Sequence, residues 1–235
     1  MTVYNPPLFR EDDRATLHAM IRTARLAILV SNGADGLPEI SYLPFVFEAA
    51  EPGDPAAGGA QAALVGHFAR ANPHWKSLSA PGSRATVIFK GADAYVSPSF
   101  YPTKPVHHRH VPTWNYEAVH AVCGVEIFDD AARLRDVVLR LTTRFEAGRD
   151  QPWTIDQAPP DYVAAMLRAI VGIRLTIEEL TGKRKLSQNR EAVDRQGTRA
   201  ALEMSSDQSE RDVARAMRDL EERKLEHRKL EEPTR

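Results

Sequence analysis

The chain has 235 residues, of which 43% are hydrophobic and 27% charged, and its net charge is −1 at pH 7. This is globular usage, long enough for one large domain or two small ones, and it excludes a disordered or fibrous chain. A charge balance so near zero supplies no broad cationic face for nucleic acid, and the single cysteine, Cys123, excludes an intramolecular disulfide framework.

The opening MTVYNPPLFREDD is polar and proline-bearing, unlike a signal peptide, and no apolar run approaches the ~20 residues that span a bilayer. The expectation is a cytoplasmic protein with no membrane partner. Glu11–Arg25 reads as a helix, with Leu17, Met20, Ile21 and Ala24 on one stripe and acids in its first turn. Residues 26–48, LAILVSNGADGLPEISYLPFVFE, hold two β-rich runs around Asn32-Gly33 and Asp35-Gly36, which predicts a hairpin. The Pro/Gly/Ala-rich stretch 49–61 predicts an exposed loop.

A strand is expected at Gln61–Phe68, then a short helix from Asn72 to Ser79 with Asn72 as its cap and Pro73 in its first turn. Further strands are expected at 84–90, 94–100 and 115–128. The last carries Cys123 inside AVHAVCGVEIF, a buried run in which a thiol is inert. Between them SPSFYPTKPVHHRHVPTW has four prolines and cannot be a central strand.

Asp129-Asp130 should cap a helix whose apolar face is Leu134, Val137, Val138, Leu141 and Phe145. A second helix, from Pro159-Pro160-Asp161, is expected to bury Tyr162, Met166, Leu167 and Ile170. In Val171–Leu180, Val171, Ile173, Leu175 and Ile177 alternate with Arg174, Thr176 and Glu178, the signature of a strand with one buried face. A basic loop, Gly182–Arg190, leads to a helix from about Glu191. Beyond Glu203 the chain is nearly half charged and mixed in sign. Its seam of Val213, Met217 and Leu220 is short, so a solvated terminal helix is expected. The expected organisation is one domain over 1–202 and a charged helical tail over 203–235. The fold class is mainly β with inserted helices, and barrel closure is the natural way for so many antiparallel strands to lose their edges.

Phosphate-loop, dinucleotide, nucleophile-elbow and zinc-protease motifs are absent. Polar residues gather instead in SYLPF (41–45), GHFARANP (66–73), SPSFYPTK (97–104), PTWNY (112–116) and KLSQNR (185–190). Together they offer hydroxyls and amides for a polyol, Arg70 and Lys185 for a phosphate, and Tyr101, Trp114 and Tyr116 for a flat ring. Such a set suits a phosphorylated aromatic cofactor. His107, His108 and His110, with His67 or His120, could supply imidazoles to a metal. No cysteine or spaced carboxylate completes that set, and adjacent histidines on extended chain face opposite ways, so no metal site is expected.

The stretches YNPPLFREDD, GHFARANPHW, AYVSPSFYPTK, VPTWNYEAVHA, IVGIRLTI and GKRKLSQNR, in that order from Val3 to about Leu202, carry a family likeness. The chain resembles the PaiB family of FMN-binding negative transcriptional regulators, within the split-barrel superfamily that includes pyridoxamine-phosphate oxidases. The resemblance implies an antiparallel six-stranded split β-barrel with peripheral α-helices, forming a homodimer that binds FMN in a groove where subunits meet. It implies flavin contacts from Ser41, Leu43 and Phe45, from His67, Ala69, Arg70 and Asn72, from Trp114, and from Lys185, Ser187, Gln188 and Asn189. Arg70 and Lys185 would lie near the phosphate, with Ser187, Gln188 and Asn189 at phosphate or ribityl oxygens. The backbone near Leu43 and Phe45 would meet the ring edge, and Trp114 would stack nearby. The chain departs from the family pattern at Tyr42, Phe100 and His107–His110. Three functions follow as expectations: a flavin-binding regulator, with DNA as a partner by family analogy alone; an FMN-dependent oxidoreductase; or a flavin-free interaction scaffold.

Overall fold

Strand and helix signals in the sequence resolve, in a computed structural model describing residues 3–49 and 61–231, into eight strands and seven α-helices among the described residues. The loop expected at 49–61 lies almost wholly outside the described residues. The strands are β1 Arg10–Glu11, β2 Ala27–Asn32, β3 Pro38–Leu43, β4 Val46–Glu48, β5 Ala63–Ala69, β6 Arg84–Val96, β7 Thr113–Phe128 and β8 Ile170–Lys185. The helices are α1 Arg14–Thr23, α2 His74–Ser77, α3 Lys104–His107, α4 Ala131–Glu146, α5 Pro160–Arg168, α6 Ala192–Glu203 and α7 Gln208–Glu231. The sheet runs β3-β2-β6-β7-β8-β5-β4, with β1 paired to β8. The class is as expected, mainly antiparallel β with helices around it, but the strands number eight. Two of them, β1 and β4, have only two and three residues, too few to show a period. The separate strands expected at 84–90 and 94–100 are one continuous strand, β6.

The chain divides into two compact units, each gathered from separated stretches. One contains 13–89 and 119–181, the other the described parts of 2–12, 90–118 and 182–235. The described part of the charged tail belongs to the second unit.

In the first unit, Asp13 caps α1 by accepting from the amides of Ala15 and Thr16, and Leu17 and Ile21 face inward. The expected hairpin is β2–β3, antiparallel with Ile28 opposite Tyr42. β4 leaves it to pair with β5, and β5 pairs with β8 from Ala63↔Thr176 to Ala69↔Ile170. Leu29, Leu64, Phe68, Val87, Val119, Cys123, Ile173 and Leu175 fill the core. Burial, then the charge of Glu178, pushes the Cys123 thiol up to about 12, which leaves it protonated and unreactive.

A second cluster packs Leu134, Val137 and Leu141 of α4 on Val65 and Phe128. α5 differs from expectation. Tyr162 and Met166 are 56% and 47% exposed, and the buried residue is Val163. Two apolar rows at i,i+4 spacing, 162/166 and 163/167, lie side by side on this helix, and periodicity alone does not say which one turns inward. Glu48 ties β4 to α4 and β8 by accepting from Arg140 (2.6 Å) and from Arg174. Its burial alone would raise the carboxyl, but those two bonds outweigh it and hold Glu48 below its ordinary value.

In the second unit β8 runs on to Lys185, so the first half of the expected 182–190 loop is strand, pairing Lys183 with Arg10 and Gly182 with Glu11. α6 and α7 pack together, and the seam expected to be solvated is core: Val213, Ala214 and Met217 are buried with Leu202, Leu186 and Ala94. The charges of the tail mask a narrow apolar face that needs only those few residues, because α6 covers it. Among the described residues no helix is long and apolar enough to cross a membrane.

The polar centre of this unit is Arg184, 6% exposed. It bonds Glu117 of β7, lies 3.5 Å from Glu11 of β1, and donates to the Ala216 carbonyl of α7 at 3.3 Å. Glu11 is also bonded by Arg223 of α7 at 3.1 Å. Glu117→Ala should destabilise the protein by roughly 3 kcal/mol, the low end of the cost of breaking a buried pair because Glu11 remains. The urea midpoint would show this, with α-helical signal from α6 and α7 lost first.

Candidate functional site

Polar residues at inward-facing strand positions mark the first group. On β2 and β3 the buried positions are Ala27, Leu29 and Ser31, then Ser41 and Leu43, so two hydroxyls stand where the alternation calls for apolar side chains. His74 of α2 joins them, its Nε2 2.9 Å from Ser31 Oγ and its Nδ1 2.9 Å from Ser41 Oγ. Asn72 donates to Ser41 Oγ at 3.0 Å and accepts the His74 amide at 3.0 Å, so it braces the network at the start of α2, whose N-cap is Pro73 and not Asn72 as expected. The Glu39 carboxylate lies 3.9 Å from His74 Nε2. Burial lowers the His74 pKa, with the charge of Glu39 opposing, so the ring is neutral near pH 7.

Gly66 brings SYLPF and GHFARANP together: a Cβ there would meet the Phe45 ring and the Pro44 carbonyl at 2.9 Å. The Leu43 and Phe45 side chains are core, and the Phe45 carbonyl accepts from Arg144 at 2.6 Å. Ala69 is exposed at the end of β5. Arg70 donates to the carbonyls of Arg168 (2.8 Å) and Ile170 (2.9 Å), clamping β5 to the α5–β8 junction, at the rim of a cleft of about 600 Å³. His67 faces a different cleft, apolar and about 240 Å³, beside α4 and α5.

The second unit holds the other group. Lys185, at the end of β8, donates to Thr113 Oγ1 at 2.6 Å and to the Trp114 carbonyl. Burial, then the charges of Lys183 and Arg190, push its ammonium below the ordinary lysine value. Ser187 is buried in the left-handed region at φ 62°, held by contacts of 3.0 and 3.1 Å with the Asn115 carboxamide. A non-glycine residue kept there stores strain, a recurrent mark of a ligand-shaping turn. Gln188 closes the turn by accepting from the Leu186 amide (2.6 Å) and donating to the Arg184 carbonyl (2.5 Å). Asn189 is exposed. Arg190 covers the Tyr101 ring at 4.9 Å. Trp114 is 53% exposed and meets Tyr95 edge-on at 5.9 Å.

The expected site residues thus fall into two sets: Ser41, Leu43, Phe45, His67, Ala69, Arg70 and Asn72 in the first unit, and Trp114, Lys185, Ser187, Gln188 and Asn189 in the second. Of the histidine run, His108 ends α3 in the left-handed region and His110 Nε2 lies 3.0 Å from Thr103 Oγ1; the His107 side chain lies outside the described residues. Among the described residues no three His, Cys, Asp or Glu side chains come together as a metal would need.

Residues 3–179 match the family model described as "Putative FMN-binding domain". The chain belongs to this FMN-binding family. It is 31% identical over 156 residues to "Protease synthase and sporulation protein PAI 2" of Bacillus subtilis, covering 66% of this chain and 72% of that one. It is 29% identical over 250 residues to uncharacterized protein AN0679 of Emericella nidulans, covering 94% and 99%. Among solved structures it resembles the conserved hypothetical protein Rv2991 of Mycobacterium tuberculosis, with a TM-score of 0.53 at 14% identity over 80% of this chain and 94% of that one. That last likeness is one of fold.

FMN is accordingly the cofactor, and the donor set of the second unit fits it. A phosphate dianion needs desolvated cations with hydroxyl and amide donors, and the end of β8 supplies Lys185, Lys183 and Arg190 beside the Ser187–Arg190 turn. Two like charges that help to lower the Lys185 pKa make this place the electrostatic complement of an anion. Residues missed by sequence reasoning are Ser31, His74, Asn115 and Arg190. Ser31 and Asn115 were findable as polar residues in phase with buried strand positions, whereas the roles of His74 and Arg190 required the packing.

His74 carries a pH dependence whose sign is fixed. Its folded pKa is depressed, so its stabilising contribution is full above the ordinary imidazole pKa and is lost as pH falls toward the folded value. His18 and His67 are depressed by burial as well. Urea midpoints should fall between about pH 7 and about pH 5. In His74→Gln that fall should be smaller, one of three contributions having been removed.

Proposed function

We propose that this protein is an FMN-binding regulator of the PaiB kind, a cytoplasmic homodimer in which the state of the flavin is the signal. The observation that carries the reading is the gathering of Lys183, Lys185 and Arg190 beside a strained, over-determined turn, with one Lys185 N–H left beyond its bonds to Thr113 and Trp114. In this proposal Lys185 and Ser187 hold the phosphate, Gln188 and Asn189 shape and flank the ribityl chain, and the exposed indole of Trp114 offers a face to a flat ring. Arg70 is assigned to clamping β5 on the α5–β8 junction through the Arg168 and Ile170 carbonyls, and not to the phosphate. Bound FMN supplies the capacity to take up electrons singly or in pairs, while the chain supplies binding, orientation and shielding from water. The name of the Bacillus relative, which refers to sporulation, supports a regulatory setting.

One observation favours a second reading, an FMN-dependent oxidoreductase. α7 carries seven acidic and seven basic residues, so it offers no cationic stripe to a phosphate backbone. DNA enters only by family analogy.

Two measurements on the FMN-loaded protein separate these readings. DNA retention that weakens steeply with salt supports the regulator, and turnover of reduced nicotinamide under air without such retention supports the oxidoreductase. Lys185→Ala should weaken FMN binding by about tenfold or more, the cost of one charge-assisted bond. Arg70→Ala should instead lower the unfolding midpoint and leave FMN affinity in place. Unchanged affinity in a folded Lys185→Ala protein would remove the second-unit cations from the site.

A further inference from the structure

We propose that the apolar cleft beside α5 is a separate ligand site, and that it takes a small neutral aromatic molecule carrying one hydroxyl or amine. The cleft lies within the first unit, between His67 of β5, Val138 of α4, Val163 and Leu167 of α5, and Trp153 and Ile155 of the segment that joins the two helices. Three properties define what fits.

Size comes first. The volume is about 240 Å³. An apolar protein cavity of about 150 Å³ already accepts benzene, whereas pockets for drug-sized molecules run from about 300 to 1,000 Å³. One ring, or two fused rings, is the range, and a whole flavin mononucleotide is excluded.

Polarity comes second. Apart from His67 the lining is aliphatic and aromatic, so a phosphate or carboxylate would lose its hydration with nothing to replace it. His67 itself is held neutral by burial, which lowers its pKa, so it offers a hydrogen bond and not a charge. A neutral imidazole nitrogen either donates or accepts according to tautomer, and a hydroxyl can answer both.

The mouth comes third. Trp153 and Tyr162 stand there, both largely exposed, and Met166 lies beside them. Exposed aromatic faces with an adjacent thioether favour an aromatic guest. They also account for the row on α5 that faces outward although it is apolar.

The experiment is a fluorine NMR titration of the purified protein with the FMN it carries. The probes are 4-fluorophenol, neutral near pH 7 because phenols ionise near pH 10, and 4-fluorotoluene, which has the same shape without the hydroxyl. Both should bind, the phenol more tightly. His67→Phe keeps the cleft apolar and filled to a similar depth. It should weaken the phenol by about tenfold, the equivalent of one hydrogen bond, and leave 4-fluorotoluene within about twofold. Ala158→Trp, which fills the cleft from its lining, should abolish both while the flavin absorption and the urea midpoint are kept. The proposal is overturned if folded wild-type protein binds neither probe, or if His67→Phe leaves the phenol's affinity unchanged. Release of FMN as 4-fluorophenol binds would also overturn it, because the cleft would then belong to the flavin site.

Discussion

A guanidinium buried without water has to be met by carboxylates, and the second unit is built around one such requirement. Arg184 sits at the end of β8 among groups from three stretches that are far apart in the chain: Glu11 near the start, Glu117 on β7, and the Ala216 carbonyl on α7. An unpaired cation in that position would cost several kcal/mol, so the unit is assembled with all of its parts or not at all. The turn that carries Ser187 and Gln188 begins two residues later, and the Gln188 side chain bonds the Arg184 carbonyl itself. Rigidity at the buried cluster is therefore passed directly to the Ser187–Arg190 turn.

The first unit follows a different logic, with hydroxyls placed in phase with an apolar pattern. Ser31 and Ser41 take core positions on neighbouring strands, and each is satisfied by one nitrogen of the same imidazole. A buried polar group is tolerable only when paired, so β2, β3 and α2 are locked in one arrangement by three side chains. Asn72 then fastens the end of the adjoining segment to that lock. Around this polar knot the strands are ordinary, and their aliphatic faces account for the cohesion of the unit.

For a flavoprotein this division of labour is sufficient. The redox chemistry belongs to the isoalloxazine, and no nucleophile or acid–base pair is demanded of the chain. What the chain has to supply is charge for the phosphate, donors for the polyol and a flat surface for the ring. In the reading proposed above, the second unit would supply these from Tyr95, Trp114 and residues 183–190. The tail is not an appendage to this arrangement, since Val213 and Met217 of α7 complete the core on which Leu186, next to Lys185, is packed.

Much of this was legible in the residues themselves. Turn dipeptides, period-two alternation in Val171–Leu180 and capping aspartates placed the hairpin, β8 and α4, because such signals arise from local backbone and side-chain sterics. The polar segments SYLPF, GHFARANP and KLSQNR could be picked out as well, while the family and FMN came from the resemblance and not from local sterics. Other features were not local. Whether Tyr162 or Val163 turns inward on α5 is decided by what packs against the helix, and the apolar seam of α7 gains its meaning only from α6. Arg70 and Lys185 look alike in sequence, yet the first clamps the α5–β8 junction through two carbonyls, while the second is held by Thr113 and Trp114 with Lys183 and Arg190 close by. A sequence determines which side chains are available and the period at which they recur. Which of them are already satisfied, and which are left for a ligand, depends on partners a hundred residues away, and only the tertiary structure brings those partners within hydrogen-bonding reach.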